Sequence, residues 1–147
     1  MKISESFWIA SSQLLITRIS GNTDMQDVEK WEASLLSSLG EVNDNGVFKI
    51  LIDLHGFKAV NFEVHKKFRI VIPKTLGRYG WRVGYLDMFP EAKLQLENRR
   101  RIQCVAAAHV HHDESKIAVY EAKYSRPNER FFTDPVQAED WIRQYKI

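Results

Sequence analysis

The chain has few of the residues that mark specialised structural classes. Its 147 residues include one cysteine, Cys104, which excludes an internal disulfide and fits a reducing compartment. Four prolines and seven glycines are spread along the chain without forming a linker, so we expect a single domain over residues 1–147. The N-terminal segment carries polar residues through its apolar part and is a poor signal peptide. We therefore expect a cytoplasmic protein.

Long apolar runs and an excess of one charge are also missing. No run of about 18 apolar residues exists, so stable membrane insertion is not expected. The 21 Lys and Arg residues nearly balance the 19 Asp and Glu residues, for a net charge of +2. Arg99-Arg100-Arg101 is a local basic cluster, but no stacking-aromatic motif accompanies it. We interpret it as a solvated helix face and expect no nucleic-acid partner.

The first forty residues predict a hairpin followed by a helix. Apolar runs at 7–10 and 14–19, separated by Ser11-Ser12-Gln13, suit two paired strands. Thr23 and Gln26 have the spacing of a capping box, which predicts a helix beginning at Thr23. Apolar residues then recur at helical spacing, and Gly40 is a plausible end of the helix.

The most informative stretch is VFKILIDLHGFKAVNF, residues 47–62. It predicts a buried strand over Phe48–Leu54, a turn at Gly56 and a helix start near Asn61. In open α/β sheets, ligands bind at the carboxyl ends of such strands. This stretch therefore locates a candidate site, although it names no reaction.

The middle of the chain gives weaker signals. Val64, Phe68, Val71 and Ile72 favour a helix that Pro73 ends or kinks, although a strand over 68–72 stays open. Residues 81–88, WRVGYLDM, predict a strand, and residues 91–112 predict a helix. Residues 115–124 fit either a helix or a strand.

The end of the chain predicts a strand and a closing helix. Arg130–Thr133 reads as a short strand, Asp134 as a helix N-cap and Pro135 as the first helical residue. The alternation of elements along the chain predicts an α/β fold. We expect a mixed central sheet of about five strands with about four helices packed on it.

The element order and two segments carry a family resemblance. ILIDLHGF (50–57) and ERFFTDPVQAEDWI (129–142), in the order β-β-α-β-α-β-α-β-α, resemble the STAS/SpoIIAA-like family. That family shares its general fold with CRAL-TRIO lipid-binding domains. Its anti-sigma switches carry Asp-Ser-Ser-Gly at the helix start, where this chain has Asn61, Phe62 and Glu63. Since no hydroxyl is available, the resemblance implies a binding module without the phosphate-accepting serine.

We accordingly expect a non-enzymatic, regulatory module that binds a protein partner or a small apolar, lipid-like ligand. No cofactor and no catalytic residue are expected, and homodimerisation is left open. A general-base role for His55 beside Asp53 is conceivable, but a loop histidine is the preferred interpretation. The candidate binding residues surround the turn after the strand: Asp53, His55, Gly56, Phe57, Asn61 and Phe62.

The alternative function is that of a metal-binding protein or a metal-dependent enzyme that uses the cluster of residues 109–113. On the predicted helix, His109, His112 and Asp113 would share one face at i, i+3 and i+4. Imidazole and carboxylate groups are common metal ligands. Cys104 on the same helix is interpreted as an inert buried thiol. The four tryptophans indicate core packing, or the walls of an apolar pocket if the helices leave a gap over the sheet.

Overall fold

A computed structural model describes residues 2–89 and 94–147. Within them the chain forms a mixed six-stranded sheet with helices packed on it, which confirms the predicted fold class. The strands are β1 (Ile3–Ile9), β2 (Leu14–Thr23), β3 (Val47–Asp53), β4 (Phe57–Ala59), β5 (Gln103–Val110) and β6 (Glu129–Phe132). The helices are α1 (Met25–Gly40), α2 (Phe62–Phe68), α3 (Val71–Gly77), α4 (Glu114–Tyr124) and α5 (Pro135–Gln144).

The sheet has the order β1-β2-β3-β5-β6. The predicted hairpin is confirmed, because β1 pairs antiparallel with β2. The pairs β2–β3, β3–β5 and β5–β6 are parallel, so β2, β3, β5 and β6 end at the same edge of the sheet. The short strand β4 continues that edge by pairing with Gly21, Asn22 and Thr23 at the end of β2.

Alternation along the central strands divides the core into two layers. Phe48, Ile50 and Ile52 of β3 pack in the larger cluster with residues of α1, α2 and α3. Leu51 points to the other face, where Ala138 and Ile142 of α5 cover the sheet. Among the described residues, no helix has both the length and the apolar character needed to cross a membrane.

The start of α1 differs from the prediction by one residue. Asp24 is the N-cap, and a reciprocal capping box joins it to Asp27. Thr23 is the last residue of β2, and its hydroxyl donates to the carbonyl of Gly21. The Thr23–Gln26 box is therefore wrong, because pairing with β4 holds Thr23 in the sheet.

The predicted helix after Asn61 is present but divided. Asn61 caps α2 by accepting a hydrogen bond from the Val64 N–H at 2.9 Å. The chain then breaks at Arg69 and resumes as α3, with Pro73 in its first turn. Proline has no N–H to donate to the carbonyl of Arg69, and its ring crowds that carbonyl, so one continuous helix is excluded. This confirms the helical alternative for the segment.

Two predicted elements between residues 81 and 112 are wrong. Residues 81–88 form an irregular segment ending in a short 3-10 turn, Leu86–Met88, instead of a strand. The predicted helix 91–112 contains the central strand β5 (Gln103–Val110), and its residues 91–93 lie outside the described part of the chain. A parallel strand covered on both faces has no polar alternation, so its apolar run resembles that of a buried helix.

The remaining elements follow the sequence closely. Residues 115–124 belong to α4, which settles their two alternatives in favour of a helix. The predicted strand 130–133 is β6, displaced by one residue. Asp134 caps α5 by accepting from the Val136 N–H at 2.9 Å, and Pro135 begins the helix as expected.

Candidate functional site

A cleft opens where β3 and β5 end. It lies between α2 and α3 on one side and α4 on the other, with the segment around the Leu86–Met88 turn closing a third side. Its interior volume is about 60 Å³, and the empty space reaches about 570 Å³ when the open mouth is included. Its lining is mostly apolar and aromatic: Leu54, Phe68, Ile72, Tyr85, Phe89, Val110, Ile117, Tyr120 and Phe131, with His65, Arg69, His109, His111 and Lys116.

A buried histidine–glutamate pair lies at the floor of the cleft. The Nε2 atom of His109 on β5 is 2.8 Å from Oε2 of Glu129, the first residue of β6. The Glu129 side chain is fully buried, and its Oε1 atom accepts from the Gly84 N–H and from the Arg126 guanidinium. Burial would raise the pKa of Glu129, but hydrogen bonds and charges from His109 and Arg126 outweigh it and lower the pKa. The carboxylate is thus held ionised behind the imidazole.

Aromatic rings form the walls. Tyr85 lies among three of them, with centroid distances of 5.6 Å to His109, 5.5 Å to Tyr120 and 6.2 Å to Phe131. The His109 ring stacks on Phe131 at 4.6 Å. Burial is the main cause that raises the pKa of Tyr85, so its hydroxyl stays protonated. Rings packed at these distances form a stiff, apolar surface for a ligand to contact.

Basic side chains lie among the lining residues. Burial, together with the nearby charges of Arg69 and Lys116, lowers the pKa of His65. Burial, followed by the charge of Lys116, lowers the pKa of His111 to about 4. Burial also lowers the pKa of Lys116 itself, and Asp113 opposes this in part. The two histidines are therefore held in the neutral form near pH 7, and the cations among the described lining residues of the cleft are Arg69 and Lys116.

Comparison with known proteins identifies no relative. No family model matches the chain. No curated protein and no solved structure matches it either.

Three of the predicted site residues, Asp53, His55 and Gly56, lie at the end of β3 and in the turn that follows it. Asp53 faces the α5 side of the sheet, where its carboxylate is 3.4 Å from Nε of Arg18, and it also accepts from the backbone N–H of His55. Gly56 has a φ of +84°, which favours glycine, and its N–H donates to Nδ1 of His112 at 3.0 Å. The Asp53 carboxylate thus contacts the backbone N–H of His55, and no hydrogen bond between the two side chains is seen in the described part of the chain. Leu54, between them in sequence, lines the cleft.

The other three lie beside the cleft in different environments. Phe57 is buried and stacks on Phe68 at 3.9 Å, so it supports a wall of the cleft. The Asn61 side chain caps α2 by accepting from the Val64 N–H. Phe62 is 63% exposed, and the Arg69 guanidinium lies 5.7 Å from its ring centroid. Binding by these six residues stays a prediction.

The helical premise of the metal alternative is wrong. His109 is in a strand and pairs with Glu129, whereas His112 and Asp113 follow the strand and take part in separate contacts. Asp113 caps α4 by accepting from the Lys116 N–H. In the described parts of the chain, no group of three or more His, Cys, Asp or Glu residues is arranged to hold a metal ion.

Cys104 and the basic cluster also have defined environments. Cys104 lies on β5, not on a helix, and burial raises the pKa of its thiol, which keeps it unreactive. Arg100 belongs to a 3-10 turn, where it contacts Asp44 and the carbonyls of Leu39 and Val42. The predicted solvated helix face at 99–101 is therefore wrong, since Arg100 anchors the turn before β3.

The sequence predicts the correct edge of the sheet but not several residues of the cleft. It predicts a strand at Tyr85, leaves a helix or a strand open at Lys116, and gives no signal for a site at Glu129. The tryptophans do not line the cleft. The segment HVHHD, which follows a buried apolar run, is a signal for part of this site. If the apolar run is taken as a parallel strand, its carboxyl end places His109 beside the end of β3.

Proposed function

We propose that the chain is a cytoplasmic, non-enzymatic binding module of the STAS/SpoIIAA-like type, which holds a small apolar ligand in the cleft. The observation that carries the proposal is the cleft itself, an aromatic-lined space at the carboxyl ends of β3 and β5. Ligand sites in α/β sheets occur at this end of the strands, and they are mostly apolar with a few polar groups that orient the ligand.

The size of the cleft limits the ligand. An ordered water needs roughly 10–15 Å³ of such interior volume, so the 60 Å³ available would hold only a few waters or a comparable ligand group. A compact ring or a short acyl segment fits inside, and the rest of the ligand would occupy the open mouth. A full diacyl lipid exceeds this space.

The residues that line the cleft support a binding function without catalysis. His109 has the chemistry of a base, yet the lining residues that the structure describes include no serine, cysteine or threonine that could act as a nucleophile. The Glu129 carboxylate is already saturated by His109, Arg126 and Gly84. The pair is therefore interpreted as a rigid polar floor that orients the ligand.

The test is a titration with N-phenyl-1-naphthylamine, a neutral dye that fluoresces in apolar surroundings. We expect saturable binding by the wild type and at least tenfold weaker binding by Ile117→Trp, which fills the cleft. Val119→Trp is the matched control, because Val119 is on the same helix but 47% exposed and outside the cleft. If circular dichroism shows that Ile117→Trp does not fold, Ile117→Phe is used in its place. Equal binding by the cleft variant and the control would refute the proposal.

A further inference from the structure

The lysine and the arginine among the described lining residues of the cleft, Lys116 and Arg69, are both cations. The lining residues that titrate are His65, Arg69, His109, His111 and Lys116, together with two tyrosines. Among the described residues no aspartate or glutamate lines the cleft. A site for an uncharged ligand has no need of this composition, because burying a cation beside apolar rings costs free energy.

Lys116 is the decisive residue. It is partly buried on α4, and its ammonium lies 5.5 Å from the centroid of the Tyr120 ring. Across residues 2–89 and 94–147, its ammonium has no hydrogen bond and no carboxylate within 4 Å. The Tyr120 ring attracts the ammonium but offers it no anionic partner, so among the described residues the positive charge of Lys116 is left available to an acidic group of a ligand.

Two carboxylates close to the cleft, Asp113 and Glu129, do not provide that acceptor. Asp113 accepts from the backbone N–H of Lys116 at 3.1 Å and from the Ser115 hydroxyl at 2.8 Å, which engages it as the cap of α4. Glu129 lies behind the His109 ring and is paired with His109 and Arg126. Both carboxylates are thus committed to the fold.

The response of the neighbouring histidines supports the same view. The positive charge of Lys116 contributes to lowering the pKa of both His65 and His111. His65 stands on α2 and His111 on the loop after β5, so the charge of Lys116 acts on both sides of the cleft. An anion bound near Lys116 would counter this effect and raise the pKa of both histidines.

We infer that the ligand is an amphipathic organic anion, whose carboxylate or sulfonate pairs with Lys116 while its apolar body occupies the aromatic cleft. This inference rests on the proposed function and specifies its ligand class. Lys116 fixes the acidic group at the mouth, and the floor formed by His109 and Phe131 contacts the apolar end.

The experiment compares two dyes with the same aromatic skeleton. 1-Anilinonaphthalene-8-sulfonate carries a sulfonate, whereas N-phenyl-1-naphthylamine is neutral. We expect the wild type to bind the sulfonate at least tenfold more tightly, and Lys116→Met to remove this preference while changing neutral-dye binding less than twofold. Lys123→Met, on the exposed side of the same helix, is the matched control and should change neither affinity.

Each outcome separates the two proposals. Suppose that Ile117→Trp blocks binding of the neutral dye but Lys116→Met leaves the affinity for the sulfonate dye unchanged. That result overturns the anion inference, and the proposed binding module still stands. Equal weakening of both dyes by Lys116→Met also overturns it, since the loss would then be one of packing. No binding of either dye by folded wild type overturns both. Thermal melts of every variant confirm that the fold is retained.

Discussion

Replacing Glu129 by glutamine tests the floor of the cleft. The Glu129 carboxylate is fully buried, and its Oε1 atom accepts from Arg126 Nη2 at 2.6 Å and from the Gly84 N–H at 3.0 Å. Its Oε2 atom is 2.8 Å from Nε2 of His109. Glutamine preserves the shape and one acceptor but removes the negative charge, which leaves the Arg126 guanidinium without its counter-ion and the His109 contact without an ionised acceptor.

The expected cost follows from those contacts. Hydrogen bonds to a charged group contribute about 1.5–3 kcal/mol, against about 0.5–1.5 kcal/mol for neutral ones, so each weakened contact costs about 1 kcal/mol. Removing one partner of a buried pair altogether costs about 3–5 kcal/mol, which is an upper limit here. Since the variant also avoids burying a charge, we expect Glu129→Gln to lower the free energy of unfolding by about 2–3 kcal/mol.

Urea unfolding at pH 7 measures this cost. Glu121→Gln is the matched control: Glu121 also accepts from an arginine, Arg130, at 2.9 Å, but its side chain is 29% exposed, so we expect less than about 1 kcal/mol. Because folding lowers the pKa of Glu129, its stabilisation is complete above the ordinary value of 4.5 and is lost as the pH falls through the lower folded value. The difference between wild type and Glu129→Gln should therefore narrow below pH 4.5. Equal costs for the two variants at pH 7 would refute the reasoning.

Two further predictions concern buried polar contacts. Thr17→Val should lower the free energy of unfolding in urea by about 1–3 kcal/mol. Thr17 Oγ1 is 2.7 Å from Nε1 of the fully buried Trp31, and valine leaves that N–H without an acceptor. An unchanged unfolding midpoint would contradict this prediction. His111 Nδ1 accepts from the Asp113 N–H at 3.0 Å, and its pKa is lowered to about 4, so its contribution is present above pH 6.5 and lost towards pH 4. We compare the free energy of unfolding of the wild type with that of His111→Asn, whose side chain does not titrate. After allowance for partial exposure, we expect the difference between them to fall by about 1–2 kcal/mol from pH 6.5 to pH 4. A difference that stays constant over this pH range would contradict the prediction.

Local signals account for the elements that sequence reasoning predicted correctly. The hairpin, the cap at Asn61 and the Asp134–Pro135 helix start each depend on residues within a few positions of one another. The strand β3 is recognisable because a short apolar run is bounded by a turn on each side. In each case the local preference and the tertiary structure agree.

The errors occur where distant residues decide the structure. Three consecutive alanines, 106–108, favour a helix by propensity, yet β3 and β6 pair with them and place them in the sheet. Residues 78–89 and 94–102 are held by bonds between distant backbone positions, such as Cys104 N–H to the Tyr79 carbonyl at 3.0 Å and Glu97 N–H to the Gly77 carbonyl at 2.8 Å. Such bonds leave no periodic pattern in the sequence.

The same limit explains the incomplete site prediction. The strand end at Asp53 correctly indicated the edge of the sheet at which the cleft lies. Tyr85, Lys116 and Glu129 join it only because a loop, a helix and the last strand converge there. Their spacing along the chain carries no information about that convergence.

The pairing of β4 with the end of β2 has a consequence for how a ligand would arrive. The Gly21 N–H donates to the Gly56 carbonyl at 3.0 Å, the Val60 N–H donates to the Thr23 carbonyl at 3.0 Å, and Gly56 is tied to His112. The segment between β3 and α2 therefore loses its conformational entropy when the chain folds, not when a ligand binds. Association on that side would resemble rigid docking, with any adjustment left to the side chains at the mouth.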